Sequence, residues 1–468
     1  MEQEVKGFDF QSWILQHQDE HYQIVKESDE LIQLLTDYAD ASIRFTEIEE
    51  NIIVEFTIIS HKDQGIKFYL HFELNDETHA KQLYEEMVET LIELKEEKTL
   101  RVLLSCSAGL TTSMFAENLN SVANMLGLDY QFEAVSYLSI YEVVDQYDVV
   151  LLAPQIGYMY KQLKESLSHK LVLQVPTAVF ASYDALSAIK FIQAELEDFH
   201  NKTKEEKEKG CTRCVEYEKR ILSIVITSSK DKTHIYYRLY DKCEIIDSSL
   251  IIKPLMNIYD LYDIIDTVLL KHSYIDVIGI ATPGIVKNGK HLSNPTDGKD
   301  IDIKTDFEEK YNIDVFVYNN ANAAVVGFSL EHPEYKNIIF HSQPFGYGVG
   351  GQGIIINGKI VRGKNGIAGE IKHFIRRMQL SDDVYKLART HHGAVELVTR
   401  SLLPTISIMG PEAVVIYAPM TPDMNEIKKT LASFIDEEFL PEFYYIKEAS
   451  SYMLSGITKL CVDYLKDE

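Results

Sequence analysis

Cys106 stands at the end of an apolar run and opens a loop of small residues, Ser107-Ala108-Gly109-Leu110-Thr111-Thr112-Ser113. A strand that stops at a cysteine and turns through small residues into a helix brings backbone N–H groups to one point. That field holds an anion and stabilises a thiolate, so the cysteine becomes a nucleophile beside a phosphate cradle. A structural cysteine at a strand end needs no more than one capping hydroxyl after it. Here four follow within seven residues: Ser107, Thr111, Thr112 and Ser113. A second chemistry-bearing stretch lies far downstream, where Phe345-Gly346-Tyr347-Gly348-Val349-Gly350-Gly351-Gln352-Gly353 precedes Gly363-Lys364-Asn365-Gly366-Ile367-Ala368-Gly369-Glu370. Glycines at that density let backbone approach a phosphate or sugar closely. Glu370 and His373, three apart, can face one ligand.

The elements that position these residues follow from periodicity. After Val102-Leu103-Leu104, a helix is read with Met114, Phe115, Leu119, Val122 and Leu126 on one side. Residues 1–97 read as a small α+β module of unknown role. Two strands near 52–58 and 66–72 flank the turn at Asp63-Gln64-Gly65, and a helix follows over about 79–98. Residues 98–198 form a second unit. The charge run from Asn201 to Gly210 marks a linker over 199–219, and a third unit spans 220–468. His17, His21, His61 and His71 have no metal-ligand spacing, and Cys211-Thr-Arg-Cys214 is a lone pair in the linker.

With 468 residues, 46% hydrophobic and 25% charged, the chain has the composition of a multidomain globular protein. No apolar run approaches a membrane span and the start is unlike a signal peptide, so a cytoplasmic protein without membrane insertion is expected. A formal charge of −26 argues against a nucleic-acid partner. Five scattered cysteines read as reduced thiols.

The Cys106 loop, with Leu152-Ala153-Pro154-Gln155-Ile156-Gly157-Tyr158-Met159, resembles the two signature loops of the lactose/cellobiose-type enzyme IIB of the bacterial sugar phosphotransferase system. The resemblance covers about 99–195. It implies a doubly wound parallel sheet, phosphorylation of Cys106 by an enzyme IIA partner, residues 107–113 as phosphate loop, and Pro154, Gln155 and Tyr158 as its rim. A membrane enzyme IIC would take part in passing phosphate to a β-glucoside or cellobiose-type sugar. The small tyrosine phosphatases share such a cysteine loop but need an arginine in it, and none is present.

Ile280-Ala-Thr-Pro283-Gly284, Val317-Tyr-Asn319-Asn320-Ala-Asn322 and the two glycine-rich stretches resemble, in this order, the ROK family of sugar kinases and repressors. The match, over about 220–465, implies an actin-like two-lobed fold and a sugar ligand held by Asn294, Asn319, Asn320, Glu370, His373 and Glu396. The departures are chemical. The family's Asp base is here Asn320, an amide that cannot take a proton at neutral pH. The phosphate loop Asp-x-Gly-Gly-Thr-Lys reads Val225-Ile226-Thr227-Ser228-Ser229-Lys230, and the late paired glycines read Tyr417-Ala418. The zinc cysteines align with Leu387, Arg389 and Ala394. No zinc is therefore expected, and these losses put ATP and magnesium in doubt.

The α/β chain thus reads as a phosphocysteine carrier joined to a kinase-dead sugar-binding region. A regulatory sensor of sugar and phosphorylation is the second reading. An active hexose kinase, which would need Asp297 or Asp302 as base, is the third. Repression by direct DNA binding is disfavoured because no helix-turn-helix is evident, and self-association is left open.

Overall fold

The structure is a computed structural model that describes residues 8–467, apart from 50, 98, 108–109, 168–169, 207–216, 229–231, 288–289, 292–301, 345–347, 419 and 422–423. All counts below are of the described residues. Cys211, Cys214, Asn294 and Asp297 lie outside them.

After a short helix, Phe10–Gln16, five antiparallel strands follow: β1 (Gln23–Lys26), β2 (Leu31–Leu35), β3 (Ala39–Ile48), β4 (Asn51–Ser60) and β5 (Ile66–Glu73). Alternate residues of β2 and β3 are buried, as expected for a sheet with one covered face. Helix Glu77–Glu93 closes this segment, capped by Asp76.

The cysteine unit comes next. Its strands β6 (Leu100–Cys106), β7 (Tyr130–Ser136), β8 (Val149–Leu152) and β9 (Leu171–Gln174) are all parallel, in the order β7-β6-β8-β9. Both faces of β6 are covered. Val102 and Leu104 pack with helix Leu110–Met125 on one face, and Leu103 packs with Ile140 and Val144 on the other. The near-continuous apolar run in sequence has this cause. Helix Leu110–Met125 buries Phe115, Ala116, Leu119 and Ala123. Met114 and Leu126, expected on the inner side, are exposed.

The remaining chain builds two lobes with one repeated plan. Strands β10 (Ile221–Ser228), β11 (Thr233–Asp241), β12 (Glu244–Lys253), β13 (Val277–Thr282) and β16 (Asp314–Asn319) are ordered β12-β11-β10-β13-β16, with two antiparallel and then two parallel pairings. The minor strands β14 (Val286–Lys287) and β15 (Lys290–His291) form a small ribbon. In the second lobe β17 (Ile338–Ser342), β18 (Gly351–Ile356), β19 (Lys359–Ile360), β20 (Ala413–Tyr417) and β21 (Glu442–Tyr445) run β19-β18-β17-β20-β21, with the same succession of senses. This duplication is the two-lobed arrangement expected.

The N-terminal segment departs from its expected independence. β5 pairs with β12 at Tyr69 and Ile252, which makes one ten-stranded sheet of β1–β5 and the first lobe. Phe56, Phe72 and Leu91 share a core with Leu222, Tyr237 and Val268. Without β5, β12 would present an unpaired edge, and the N-terminal strands cover it. The cysteine unit is consequently an insertion between two parts of one body.

Ion pairs hold that body together. Lys253, 1% exposed, meets Asp260 at 2.5 Å and Glu86 at 2.9 Å, while His79 meets Asp263 at 2.9 Å. These contacts join helix Glu77–Glu93 to β12 and to helix Ile258–His272. The cysteine unit touches both neighbours. Lys62 pairs with Asp148 at 2.9 Å, and Ile140, Val144 and Leu163 share an apolar cluster with Ala394 and Met420 of the second lobe.

Candidate functional site

β6 lies between β7 and β8, so successive connections leave it in opposite directions. Its carboxyl end therefore opens into the crevice where parallel sheets place ligands. Cys106 is the last residue of β6, opposite Ser136 of β7, and is 5% exposed. The Thr112 hydroxyl, fully buried in the first turns of the next helix, donates to the Cys106 sulfur. Ser107 is exposed in the loop, and Ser113 is exposed in the first turns of helix Leu110–Met125. Ala108, Gly109 and the side chains of Leu110 and Thr111 lie outside the described residues.

The backbone beside the cysteine is pinned by its neighbours. The Ser105 hydroxyl donates to the Val135 carbonyl at 2.9 Å, and the Ala153 N–H donates to the Ser105 carbonyl at 2.9 Å. Pro154 then starts a 3-10 turn over Pro154–Met159, where it costs no hydrogen bond. Gln155 and Tyr158 are exposed and Pro154 is half-buried. Met114 (62% exposed), Leu138 (74%) and Tyr158 (75%) follow β6, β7 and β8, so each of these three strands is succeeded by an exposed large apolar side chain. Sequence reasoning found the loop but not which hydroxyl meets the sulfur. It also missed Leu138, which carries no motif.

The second site divides differently. Asn319 caps helix Asn320–Glu331 by accepting from Ala321 and Asn322 N–H, and its amide donates to the Gly284 carbonyl at 2.6 Å. The Asn320 amide donates to the Ile226 carbonyl at 2.7 Å, leaving its own oxygen buried without a partner. Glu370 pairs with Lys372 at 3.0 Å, and His373 is exposed on helix Lys372–Ile375. Glu396 accepts from the Ser381 N–H at 2.9 Å and from its hydroxyl. Of the six expected sugar residues, Asn319 lines a cleft, with Val286, Lys287, Asn322, Arg362 and Gly366. Asn320, Glu370, His373 and Glu396 do not line it. The glycines that shape this region are constrained: a Cβ on Gly366 would strike the Val286 carbonyl oxygen, and one on Gly369 that of Gln352.

Val225 is fully buried in the apolar core between the lobes, opposite Tyr236 of β11. Tyr417 packs against that same core. Asp302 caps helix Ile303–Tyr311. Where zinc thiolates would stand, Leu387 joins Ile375, Ala388 and Leu397 in an apolar cluster, and Ala394 packs against the cysteine unit. Among the described residues, no three His, Cys, Asp or Glu are grouped to hold a metal, and no helix is long and apolar enough to cross a membrane.

Comparison with known proteins gives two matches in chain order. Residues 101–190 match the family model "PTS system, Lactose/Cellobiose specific IIB subunit", and residues 253–391 match that of the ROK family. The chain is 39% identical over 100 residues to the xylose repressor of Bacillus subtilis (strain 168), covering 20% of this chain and 25% of that one. It is 31% identical over 102 residues to the PTS system lactose-specific EIICB component of Streptococcus mutans serotype c, covering 21% and 18%. It thus spans a quarter or less of these curated relatives. A solved ROK family protein from Streptococcus pneumoniae TIGR4, in complex with sucrose, aligns at 18% identity and TM-score 0.42 over 53% of this chain and all of that one.

Proposed function

The chain joins a lactose/cellobiose-type enzyme IIB segment to a ROK-type segment, and we propose that it is a cytoplasmic phosphoryl carrier of the sugar phosphotransferase system. The observation that carries this reading is Cys106 at the carboxyl end of β6, with the Thr112 hydroxyl on its sulfur. The Cys106 thiolate attacks the phosphorus of a phosphohistidine on an enzyme IIA partner. The S–P bond forms as the P–N bond breaks, and the histidine nitrogen keeps the electron pair. Backbone N–H groups of the loop and helix start offset the phosphate charge. Onward transfer goes to a β-glucoside or cellobiose-type sugar presented by an enzyme IIC. The exposed apolar side chains of Met114, Leu138 and Tyr158 are where such partners dock.

The ROK-type segment binds sugar without phosphorylating it. Phosphoryl transfer relies on positioning and charge neutralisation. Buried Val225 offers no carboxylate for a metal, and Asn320 spends its amide on Ile226 rather than acting as a base. ATP, magnesium and zinc have no role in this reading. An active hexose kinase is the weakest alternative, because Asp302 is engaged as a helix cap.

A regulatory reading has one observation in its favour. Tyr137–Val144 follows β7 beside the Cys106 mouth and packs through Ile140 and Val144 against Ala394 and Met420. A change of charge at Cys106 then has a short route to the second lobe.

Intact-protein mass after incubation with phosphoenolpyruvate, the two general phosphotransferase proteins and candidate IIA proteins tests the carrier. Wild type gains one phosphate, and Cys106→Ser passes none onward. Equal labelling of both proteins refutes the reading. In a coupled ATP assay over hexoses and disaccharides, turnover near the usual kinase range of about 1–100 per second would refute the kinase-dead assignment.

A further inference from the structure

The cleft at the start of helix Asn320–Glu331 carries more positive charge than a neutral sugar needs. Its volume is about 210 Å³, and Lys287 and Arg362 line it while, among the described residues, no carboxylate does. That is notable in a chain of net charge −26. The Arg362 guanidinium lies 4.3 Å from the centre of the Tyr318 ring, which fixes its planar fork over the cleft. The helix start adds its own partial positive charge.

A second polar group belongs to the wall of the same space. Asn322 is 6% exposed, lines the cleft, and its side-chain oxygen is buried without a hydrogen-bond partner. An unsatisfied buried acceptor calls for a donor such as a hydroxyl. The volume lies below the roughly 300–1,000 Å³ of drug-sized sites, so it suits one sugar ring rather than a disaccharide or a nucleotide. The geometry points to a phosphorylated monosaccharide as the ligand of this cleft, its phosphate on Arg362 and Lys287 and a ring hydroxyl donating to Asn322 Oδ1. The inference rests on the reading that the ROK-type segment binds sugar, and names the class of that ligand. The transfer proposed for Cys106 makes the phosphate ester of a disaccharide or β-glucoside, and hydrolysis of its glycosidic bond would release the monosaccharide phosphate that this cleft takes.

Calorimetry on the full-length protein tests this with glucose, galactose, mannose, their 6-phosphates, gluconate and inorganic phosphate, at one ionic strength. At least one 6-phosphate binds tenfold or more tightly than its parent sugar, gluconate or inorganic phosphate. Arg362→Gln and Lys287→Gln each cost that ester about tenfold, leave any parent-sugar binding unchanged and keep the wild-type unfolding curve. Arg362→Lys, which keeps charge but loses the fork, gives a partial loss. Cys106→Ser binds the ester as wild type does, which separates this test from failure of the relay. Equal affinity for ester and parent overturns the phosphate subsite but leaves sugar binding standing. Inorganic phosphate or gluconate binding as tightly as the esters also overturns the inference. Binding of no sugar and no ester overturns it together with the sugar-binding reading.

Discussion

Thr112 is the residue through which the helix after β6 acts on the Cys106 sulfur. It is fully buried, so Val fits its place and removes only the donor. Hydrogen bonds to charged groups contribute about 1.5–3 kcal/mol. Thr112→Val should therefore slow phosphoryl transfer onto Cys106 by roughly 10- to 100-fold, and Thr112→Ser should restore it. Rapid-quench labelling from a phosphorylated IIA protein measures this, and an unchanged rate would place the hydroxyl outside the reaction. Asn320 makes the converse case. Asn320→Asp restores the acid that the resemblance to ROK kinases implies at this position but withdraws the donor that holds the Ile226 carbonyl. We expect no gain in ATP-dependent sugar phosphorylation, because Val225 remains, and a stability loss of about 1–3 kcal/mol in urea unfolding.

At the scale of elements, the seam between helix Glu77–Glu93, β12 and helix Ile258–His272 turns on Lys253. Its ammonium is buried between Asp260 and Glu86, and burial raises the Glu86 carboxyl above its ordinary range. Lys253→Met leaves both acids facing each other without a cation. Breaking a buried ion pair in this way costs about 3–5 kcal/mol. Denaturant unfolding followed by the single tryptophan, Trp13, reads out the seam directly, since Trp13 packs against the same core. A variant as stable as wild type would mean that the seam rests on apolar packing alone. The contact between the cysteine unit and the second lobe is of another kind, an apolar cluster with the Tyr141 and His391 rings stacked 6.3 Å apart and an exposed pairing of Arg389 with Asp145 at 3.9 Å. Such a contact can shift without unfolding either side.

For the whole molecule, one histidine in the ten-stranded sheet and one in the second lobe set a pH limit. His71 in the ten-stranded sheet and His341 in the second lobe are buried, and desolvation pushes both down to about 3. In the unfolded chain each protonates near pH 6.5. Between those values the unfolded state binds more protons, so their contribution is present above about pH 6.5 and is lost as pH falls toward 3. Each should add a slope of about 1.4 kcal/mol per pH unit in that window. His71→Leu should remove its share of the slope between pH 6 and 4 in urea titrations. An unchanged slope would show that His71 takes its proton in the folded state.

The cysteine loop was legible in sequence because strand end, small-residue turn and helix start are written in neighbouring residues, and so are the substitutions at Val225 and Asn320. Those local identities carry the two resemblances and the chemistry proposed from them. They could not reveal that β5 seeks β12, since any alternating strand offers the same edge and the choice is made when two distant faces bury one core. Nor could they gather Lys287, Asn322 and Arg362, which three separate segments bring to one cleft. Met114 and Leu126 fit the helical period, yet face solvent, because periodicity orders residues around a helix without saying how wide its covered face will be. Local chain chemistry determined what could react; which groups surround it was decided by non-local burial, whose energy exists only once the sheet and lobes have closed.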